Sequence, residues 1–332
     1  MAANLTPMYL AAEAKYRAAK TPEDKLAALE EMWRELPKHK SSEKLQADLK
    51  KKLSAARKAL LQTGKKGPTR ADPFYIPKTG AGQIALIGTP NVGKSSIVGG
   101  LTKAQVKITD YPFGTTVPLP GAVPYEDIQI QLIDTPPVTA EHVPAGFPGL
   151  WRTADALVVV ADVSSDSVLE DLEVCLNHLT ERHIELIDGP RRLPQEPGAS
   201  LKVPGLMLAN KIDLAGASDN LDMLRELFDA PVRIEPLSAR DADRMARLPE
   251  LLFKLIRVIR VYAKPPGKKP DLDEPFALPA GSDVHELARK VYRGHDRRIQ
   301  SARIWGHGVA DGQNVHLDHT LHDGDVVELH AD

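Results

Sequence analysis

The chain has 332 residues and a formal net charge of −2, so it can hold two or three domains and its overall charge indicates no class of partner. A single cysteine, Cys175, excludes a disulfide framework and fits a cytoplasmic protein. No apolar run approaches the roughly 20 residues of a membrane span, and the first 20 residues do not resemble a signal peptide, so no membrane partner is expected. Cys175 lies in an apolar helical run, which favours a buried structural thiol over a reactive one.

Residues 1–62 are predicted to form helices. Pro7 and Pro22 each follow a threonine that can cap a helix, and proline suits the first helical turn. Apolar residues then recur three or four positions apart, the spacing of one helix face. They are Leu26, Leu29, Trp33 and Leu36, and further along Leu45, Leu49, Leu53, Ala56 and Leu60.

Positive charge is concentrated between Lys38 and Arg70, where eleven Lys and Arg residues accompany Glu43 and Asp48. Such a basic arm is a candidate surface for structured RNA or the ribosome. The alternative is a solvated helix face followed by a flexible basic linker. Nothing in the stretch indicates specificity for DNA.

Composition divides the rest of the chain. Residues 63–80 are rich in Gly and Pro and are predicted to be a linker, and a second boundary is expected near 264–272. Between them, residues 81–263 alternate helices with apolar strands, which predicts an α/β domain with a mostly parallel sheet covered on both faces. The strands are expected at 84–87, 128–133, 156–161, 205–209 and 232–236, and a last helix is marked by Leu248, Leu252, Leu255, Ile259 and Tyr262.

The tail, residues 264–332, is predicted to be a small α+β domain. Short strand-like runs occur at 261–263, 275–278, 302–305 and 326–330, around one helix at 284–291.

The run from Gly88 to Ser95 has the P-loop pattern, and it lies between a predicted strand and a predicted helix, as the motif requires. Its glycines allow backbone amides to surround phosphate oxygens, and the helix N-terminus adds a favourable dipole. Lys94 is expected to reach the β- and γ-phosphates and Ser95 to bind Mg²⁺. The nucleotide-contacting residues are predicted to be Gly88, Asn91, Val92, Gly93, Lys94, Ser95 and Ser96.

Asn210-Lys211-Ile212-Asp213 follows a predicted strand and selects guanine over adenine. Asp213 can accept hydrogen bonds from N1–H and from the exocyclic amine of guanine, a donor pair that adenine lacks. Asn210 is expected to brace the P-loop and Lys211 to cover the base. Ser238-Ala239 follows the next strand and fits the loop whose backbone reads guanine O6. The sequence therefore predicts a site for GTP and GDP.

The second switch departs from the usual pattern. Asp134-Thr135-Pro136-Pro137-Val138 stands where a GTPase reads Asp-x-x-Gly-Gln. Asp134 can still hold Mg²⁺, but Pro137 has no N–H for the γ-phosphate, and Val138 cannot orient the attacking water. Either a neighbouring amide replaces the lost donor, or the switch responds weakly to GTP.

The run 110–118, Asp-Tyr-Pro-Phe-Gly-Thr-Thr-Val-Pro, resembles the first switch of Obg-class GTPases, in particular the developmentally regulated GTP-binding (DRG) proteins. An ungapped match from Ser95 implies that Thr115 binds Mg²⁺ and acts in catalysis with Lys94; Gly114 stands where the family usually has threonine. Residues 273–275, 304–306, 317–319 and 321–327 resemble a TGS domain, a β-grasp module. The 76 residues from Asp134 to Asn210 are too few for the inserted domain that DRG proteins carry there.

Asn91 has two interpretations. In potassium-stimulated relatives, the matching P-loop asparagine helps hold a monovalent cation, which can neutralise charge on the transferring phosphoryl group. Alternatively, Asn91 only shapes the loop. Two functions therefore remain open: a slow GTPase that acts on the ribosome or structured RNA, and a GTP-binding module that recruits a protein partner with negligible turnover.

Overall fold

The protein is described by a computed structural model. The residues that it describes are 7–18, 28–29, 31–33, 35–36, 49–53, 75–102, 117–144, 146–196, 198–292 and 299–331. Contacts divide the chain into two compact units, Met1–Asp72 and Pro73–Asp332. Among the described residues, no helix combines the length and apolar character that crossing a membrane requires.

The first unit is helical at its described residues, as predicted. Helix α1 spans Pro7–Ala18 and begins at the predicted proline. Seven buried side chains form its small apolar core: Tyr9, Ala12, Leu29, Met32, Leu36, Leu49 and Leu53. The predicted apolar face was wrong at one position, because Trp33 is 40% exposed and Met32 is buried instead. Residues 26, 45, 56 and 60, like most of the basic stretch, lie outside the described residues.

The second unit begins with a mostly parallel sheet in the strand order β2-β3-β1-β4-β6-β5, with β7 paired to β6. The strands are β1 (Gln83–Ile87), β2 (Leu119–Tyr125), β3 (Ile128–Asp134), β4 (Ala156–Asp162), β5 (Ile184–Ile187), β6 (Leu201–Asn210) and β7 (Ile234–Pro236). Only β2 among them runs antiparallel, on β3. Since β2 is an edge strand, it tolerates Pro120 and Pro124, which lack the N–H that a central strand needs.

Helices cover both faces of this sheet. They are α2 (Lys94–Leu101), α3 (Phe147–Thr153), α4 (Val168–Thr180), α5 (Ala217–Leu227) and α6 (Ala242–Ile256). Alternate residues of β4 enter two different cores: Leu157 and Val159 pack with α3, α4 and α5, whereas Val158 and Val160 pack with α2 and α6. The predicted two-sided α/β arrangement is confirmed. Cys175, on α4, is 1% exposed, which confirms the structural interpretation of this thiol.

The last predicted helix of this domain was wrong in its extent. Helix α6 ends at Ile256, because Arg257 adopts a left-handed φ of 50°. The chain then continues as strand β8 (Val258–Ala263), where buried residues alternate with less buried ones instead of following helical spacing. Ile259 and Val261 are buried, and Arg260 and Tyr262 lie on the opposite face of the strand.

Strand β8 belongs to a second, five-stranded sheet in the order β11-β10-β12-β8-β9. Its other members are β9 (Phe276–Pro279), β10 (Ile299–Trp305), β11 (Gln313–Val315) and β12 (Asp325–Ala331), and helix α7 (Val284–Val291) packs on one face. The central pair, β8 and β12, is parallel and its neighbours are antiparallel. This is the predicted β-grasp arrangement.

Candidate nucleotide-binding site

The P-loop connects β1, whose five residues are all buried, to α2. A Cβ on Gly88 would lie 2.6 Å from the Val160 carbonyl oxygen, so the loop passes directly over β4. Gly93 has a φ of 97°, and a Cβ there would lie 2.3 Å from Asn210 Nδ2. Asn91 also has a left-handed φ, of 63°, and its side chain is exposed. The loop conformation therefore depends on glycine where it meets its neighbours.

Lys94 is buried, at 6% exposure, and its ammonium closes the loop on itself. Nζ donates to the carbonyl oxygens of Gly88 (2.8 Å) and Thr89 (2.9 Å). Burial lowers the pKa of Lys94 to about 8, and the nearby Asp134 offsets only part of that effect. The lysine is thus held in the position from which it can reach a phosphate group.

Hard oxygen ligands converge at the start of α2. The Ser95 hydroxyl donates to Asp134 Oδ2 at 2.7 Å, and Asp134 is fully buried at the end of β3. A hydroxyl and a carboxylate are oxygen donors of the kind that Mg²⁺ prefers, so these two residues fit the ion. Thr115 and Gly114, in the predicted first switch, lie outside the described residues.

Asn210 joins the two halves of the candidate site. It is 1% exposed at the end of β6. Its Nδ2 donates to the Val92 carbonyl at 2.8 Å, and its Oδ1 accepts from the Ala239 amide at 3.2 Å. One side chain therefore connects the P-loop with the loop that follows β7.

Asp213 is exposed, and its carboxylate is oriented by Ser238, which is 1% exposed. The Ser238 hydroxyl donates to Asp213 and lowers the pKa of that carboxyl, which keeps it ionised as an acceptor. Lys211 has a φ of 65° and its Nζ lies 2.5 Å from Asp162 Oδ2. Sequence reasoning missed Asp162, although its position at the end of β4, beside Asn210, could have indicated it.

The second switch is held tightly. Pro136, Pro137 and Val138 are all buried, and Val138 packs in the core with Phe147 and Trp151. The Val138 amide donates to the Gly88 carbonyl at 3.1 Å, so the amide next to Pro137 is already bonded to the P-loop.

A histidine from a neighbouring helix also holds this segment. His178, on α4, donates from Nε2 to the Thr139 carbonyl at 2.8 Å. Sequence reasoning missed this contact, because nothing in the local pattern links residues 39 positions apart.

Comparison with known families agrees with this geometry. A family model described as "50S ribosome-binding GTPase" matches residues 83–188, and a TGS domain model matches residues 259–331. The chain is a P-loop GTPase with a TGS domain. The first match covers the P-loop and strands β1 to β5, and the second covers nearly all of the small second sheet.

Three relatives are similar to this TGS-domain GTPase over most of its length. An uncharacterised GTP-binding protein of Methanocaldococcus jannaschii is 26% identical over 362 residues, covering 92% of each chain. Developmentally regulated GTP-binding protein 2 of Homo sapiens is 24% identical over 365 residues, covering 92% of this chain and 98% of its own. Developmentally regulated G-protein 2 of Arabidopsis thaliana is 29% identical over 353 residues, covering 88% and 87%.

The predicted resemblance to the DRG proteins is therefore confirmed, and the chain is a GTP-binding protein of that type. The 365-residue alignment with the human protein is longer than the whole 332-residue chain, so that relative has residues that this GTPase lacks. This agrees with the short interval between Asp134 and Asn210.

Proposed function

We propose that this protein is a slow, Mg²⁺-dependent cytoplasmic GTPase, which converts GTP to GDP and phosphate and binds the ribosome or structured RNA. The observation that carries the GTPase part is the position of Asn210, which ties the P-loop to the guanine-reading loop. The ribosome part is supported by the description of the matching family and by the basic stretch between Lys38 and Arg70.

In this proposal, the residues of the P-loop bind and orient the triphosphate. Gly88, Val92, Gly93 and Ser96 lie along the loop and the first turn of α2, where backbone amides can surround phosphate oxygens. When GTP binds, Lys94 Nζ would give up its hydrogen bonds to the Gly88 and Thr89 carbonyl oxygens and bind the β- and γ-phosphates instead. Ser95, Asp134 and Thr115 would hold Mg²⁺, which neutralises charge on the phosphates when it is bound.

Guanine selectivity should depend on Asp213, with Lys211 over the base. The Ala239 amide, expected to read guanine O6, donates to Asn210 Oδ1 instead. Asp213→Asn replaces a double acceptor by a mixed donor and acceptor, so the affinity for GTP should fall by about tenfold or more. The affinity for xanthosine triphosphate, which carries an oxygen in place of the exocyclic amine, should rise. Isothermal titration with both nucleotides measures this. Glu226→Gln, an exposed change on α5, is the control. Equal affinity of the native protein for ATP and GTP would contradict the assignment.

A weak nucleotide switch is expected at Pro137. Proline offers no amide to the γ-phosphate, and the Val138 amide already donates to Gly88. The native affinities for GTP and GDP should therefore lie within about tenfold of each other. Pro137→Gly should raise the preference for GTP, whereas Pro144→Gly should not. A strong native preference for GTP that Pro137→Gly leaves unchanged would mean that the Val138 amide moves to the phosphate.

Turnover should be slow because Val138, at the position of the usual glutamine, points into the core and cannot orient water. Asn91 offers a compensation. Asn91 is exposed and has a left-handed φ, and this exposure supports a role for its side chain in holding K⁺ beside the phosphates.

The alternative is a GTP-binding module that recruits a protein partner through the TGS domain or the helices, with negligible turnover. The tightly held second switch favours it. Co-sedimentation with ribosomes in the presence of GDP, a GTP analogue or no nucleotide separates the two. The GTPase proposal expects ribosome binding that depends on the nucleotide. The absence of ribosome binding in all three nucleotide states would favour the GTP-binding module instead.

A further inference from the structure

Asp162, at the end of β4, holds the ammonium of Lys211. Lys211 Nζ lies 2.5 Å from Asp162 Oδ2, and the two side chains are only 31% and 17% exposed. Asp162 is opposite Asn210 in the pairing of β4 with β6, so Lys211 lies one position beyond the paired strands. An ion pair that is sheltered from water is screened less than an exposed pair, and it holds its partners in one arrangement more firmly.

The carboxylate of Asp162 is itself fixed by its own loop. Its other oxygen, Oδ1, accepts from the Ser164 hydroxyl at 2.6 Å and from the Ser164 amide at 3.0 Å. The loop is also held from α5, where Asn220 Nδ2 donates to the Val163 carbonyl at 3.0 Å. Asp162 therefore offers Oδ2 to Lys211 from a fixed position.

A second carboxylate lies close enough to attract the same ammonium. Asp213 follows Lys211 by two residues, is exposed, and is the predicted acceptor for guanine. The Ser238 hydroxyl lowers the pKa of Asp213, and the charge of Lys211 adds to that effect, so the lysine and this carboxylate already attract each other. If the ammonium moved to Asp213, it would occupy the oxygens that the N1–H and the exocyclic amine of guanine need. The ion pair with Asp162 opposes this movement.

We propose that Asp162 is a positioning residue for guanine recognition, because it holds the Lys211 ammonium away from Asp213. The Asp213 carboxylate is then left for the base, and the aliphatic stem of Lys211 lies over the base. Asp162 acts through Lys211 and does not bind the base itself. This inference rests on the proposed function, since it requires guanine to bind at Asp213. It concerns the base alone, so it applies equally to GDP and GTP.

The test compares GDP with inosine diphosphate, whose base lacks the exocyclic amine of guanine and so has one donor fewer for Asp213. Asp162→Asn keeps Oδ1 as the acceptor for Ser164 and removes the charge that holds Lys211. The affinity for GDP should fall by about tenfold, because Lys211 then binds Asp213. The preference for GDP over inosine diphosphate should fall by about fivefold, because the amine loses part of its acceptor. Isothermal titration in the presence of Mg²⁺ gives both affinities.

A second substitution shows whether Asp162 acts through the lysine. Lys211→Met removes the ammonium and keeps an unbranched stem. In that background, Asp162→Asn should change the affinity for GDP, and the preference for GDP over inosine diphosphate, by less than about twofold. An equal loss of affinity with and without the Lys211 ammonium would mean that Asp162 only shapes its loop, which would overturn the inference.

Asp166→Asn is the matched control, because it is an exposed change of the same charge in the same loop and should leave both affinities native. The midpoint temperature of thermal unfolding shows whether each variant is folded, and Asp162→Ser, which also removes the charge, replaces Asp162→Asn if that variant is unfolded. If the native chain binds neither nucleotide, the proposed function itself fails. If the native chain prefers GDP and the folded Asp162 variant keeps that preference, only the role of Asp162 fails.

Discussion

Gly93→Ala should lower nucleotide affinity by about 100-fold, corresponding to about 3 kcal/mol. Gly93 has a φ of 97°, a conformation that costs an L-residue roughly 1–2 kcal/mol. The added methyl would lie 2.3 Å from Asn210 Nδ2, so the buried amide must move away from Val92 and Ala239. Each buried polar group that loses its partner costs roughly 1–3 kcal/mol. Titration with fluorescent GDP gives the affinity directly.

The control for this substitution is Gly281→Ala. Gly281 has a similar left-handed φ of 88°, but a Cβ there meets no atom within 4 Å. Gly281→Ala should therefore lower the midpoint temperature of thermal unfolding, because alanine is strained at this φ, and it should keep native affinity for GDP. If Gly93→Ala also keeps native affinity, the P-loop and the guanine-reading loop are not coupled through Asn210.

Reversal of Lys50, Lys51 and Lys52 to Glu should weaken ribosome or rRNA binding by about 100-fold near 0.15 M salt, because each lysine that meets one phosphate releases about one counterion. The slope of log affinity against log salt should fall by about 2–3. The three side chains are exposed on a helical segment whose flanking residues, Leu49 and Leu53, are buried, so the fold should survive. Filter binding over a salt series measures both quantities.

A matched reversal tests whether position matters. Arg225, Arg247 and Lys254 are exposed on α5 and α6, and changing all three to Glu alters the net charge by the same amount. This variant should change the salt slope by less than one unit if the basic arm carries the contact. Equal losses of ribosome or rRNA affinity in the two variants would mean that overall charge, and not the basic arm, determines the binding.

The sequence predicted the central strands well, because buried parallel strands have continuous apolar runs that local pattern can detect. The predicted strand 84–87, for example, is observed as Gln83–Ile87, and 128–133 as Ile128–Asp134. Strand β2 was missed because Pro120 and Pro124 oppose a strand assignment, and only its place at the sheet edge makes them acceptable. Helix α6 was extended too far because Ile259 and Tyr262 continue its spacing by chance.

Within the candidate site, sequence reasoning reached the residues of the motifs but not the contacts between distant segments. The absence of an amide at Pro137 follows from its chemistry, yet the bond from Val138 to Gly88 depends on how β3 approaches β1. The ion pair between Arg260 and Asp127 joins residues 133 positions apart in the chain. Such pairings have no local signature.

The most direct test of the account is phosphate release from GTP under single-turnover conditions in potassium and in sodium, with Gly93→Ala as the background. We predict a rate on the order of 10⁻³ s⁻¹ or below, above that background and higher in potassium than in sodium. Asn91→Ala should remove the difference between the two salts. Equal native rates in the two salts would contradict the role of Asn91. Release no faster than the Gly93→Ala background in either salt would contradict the GTPase itself.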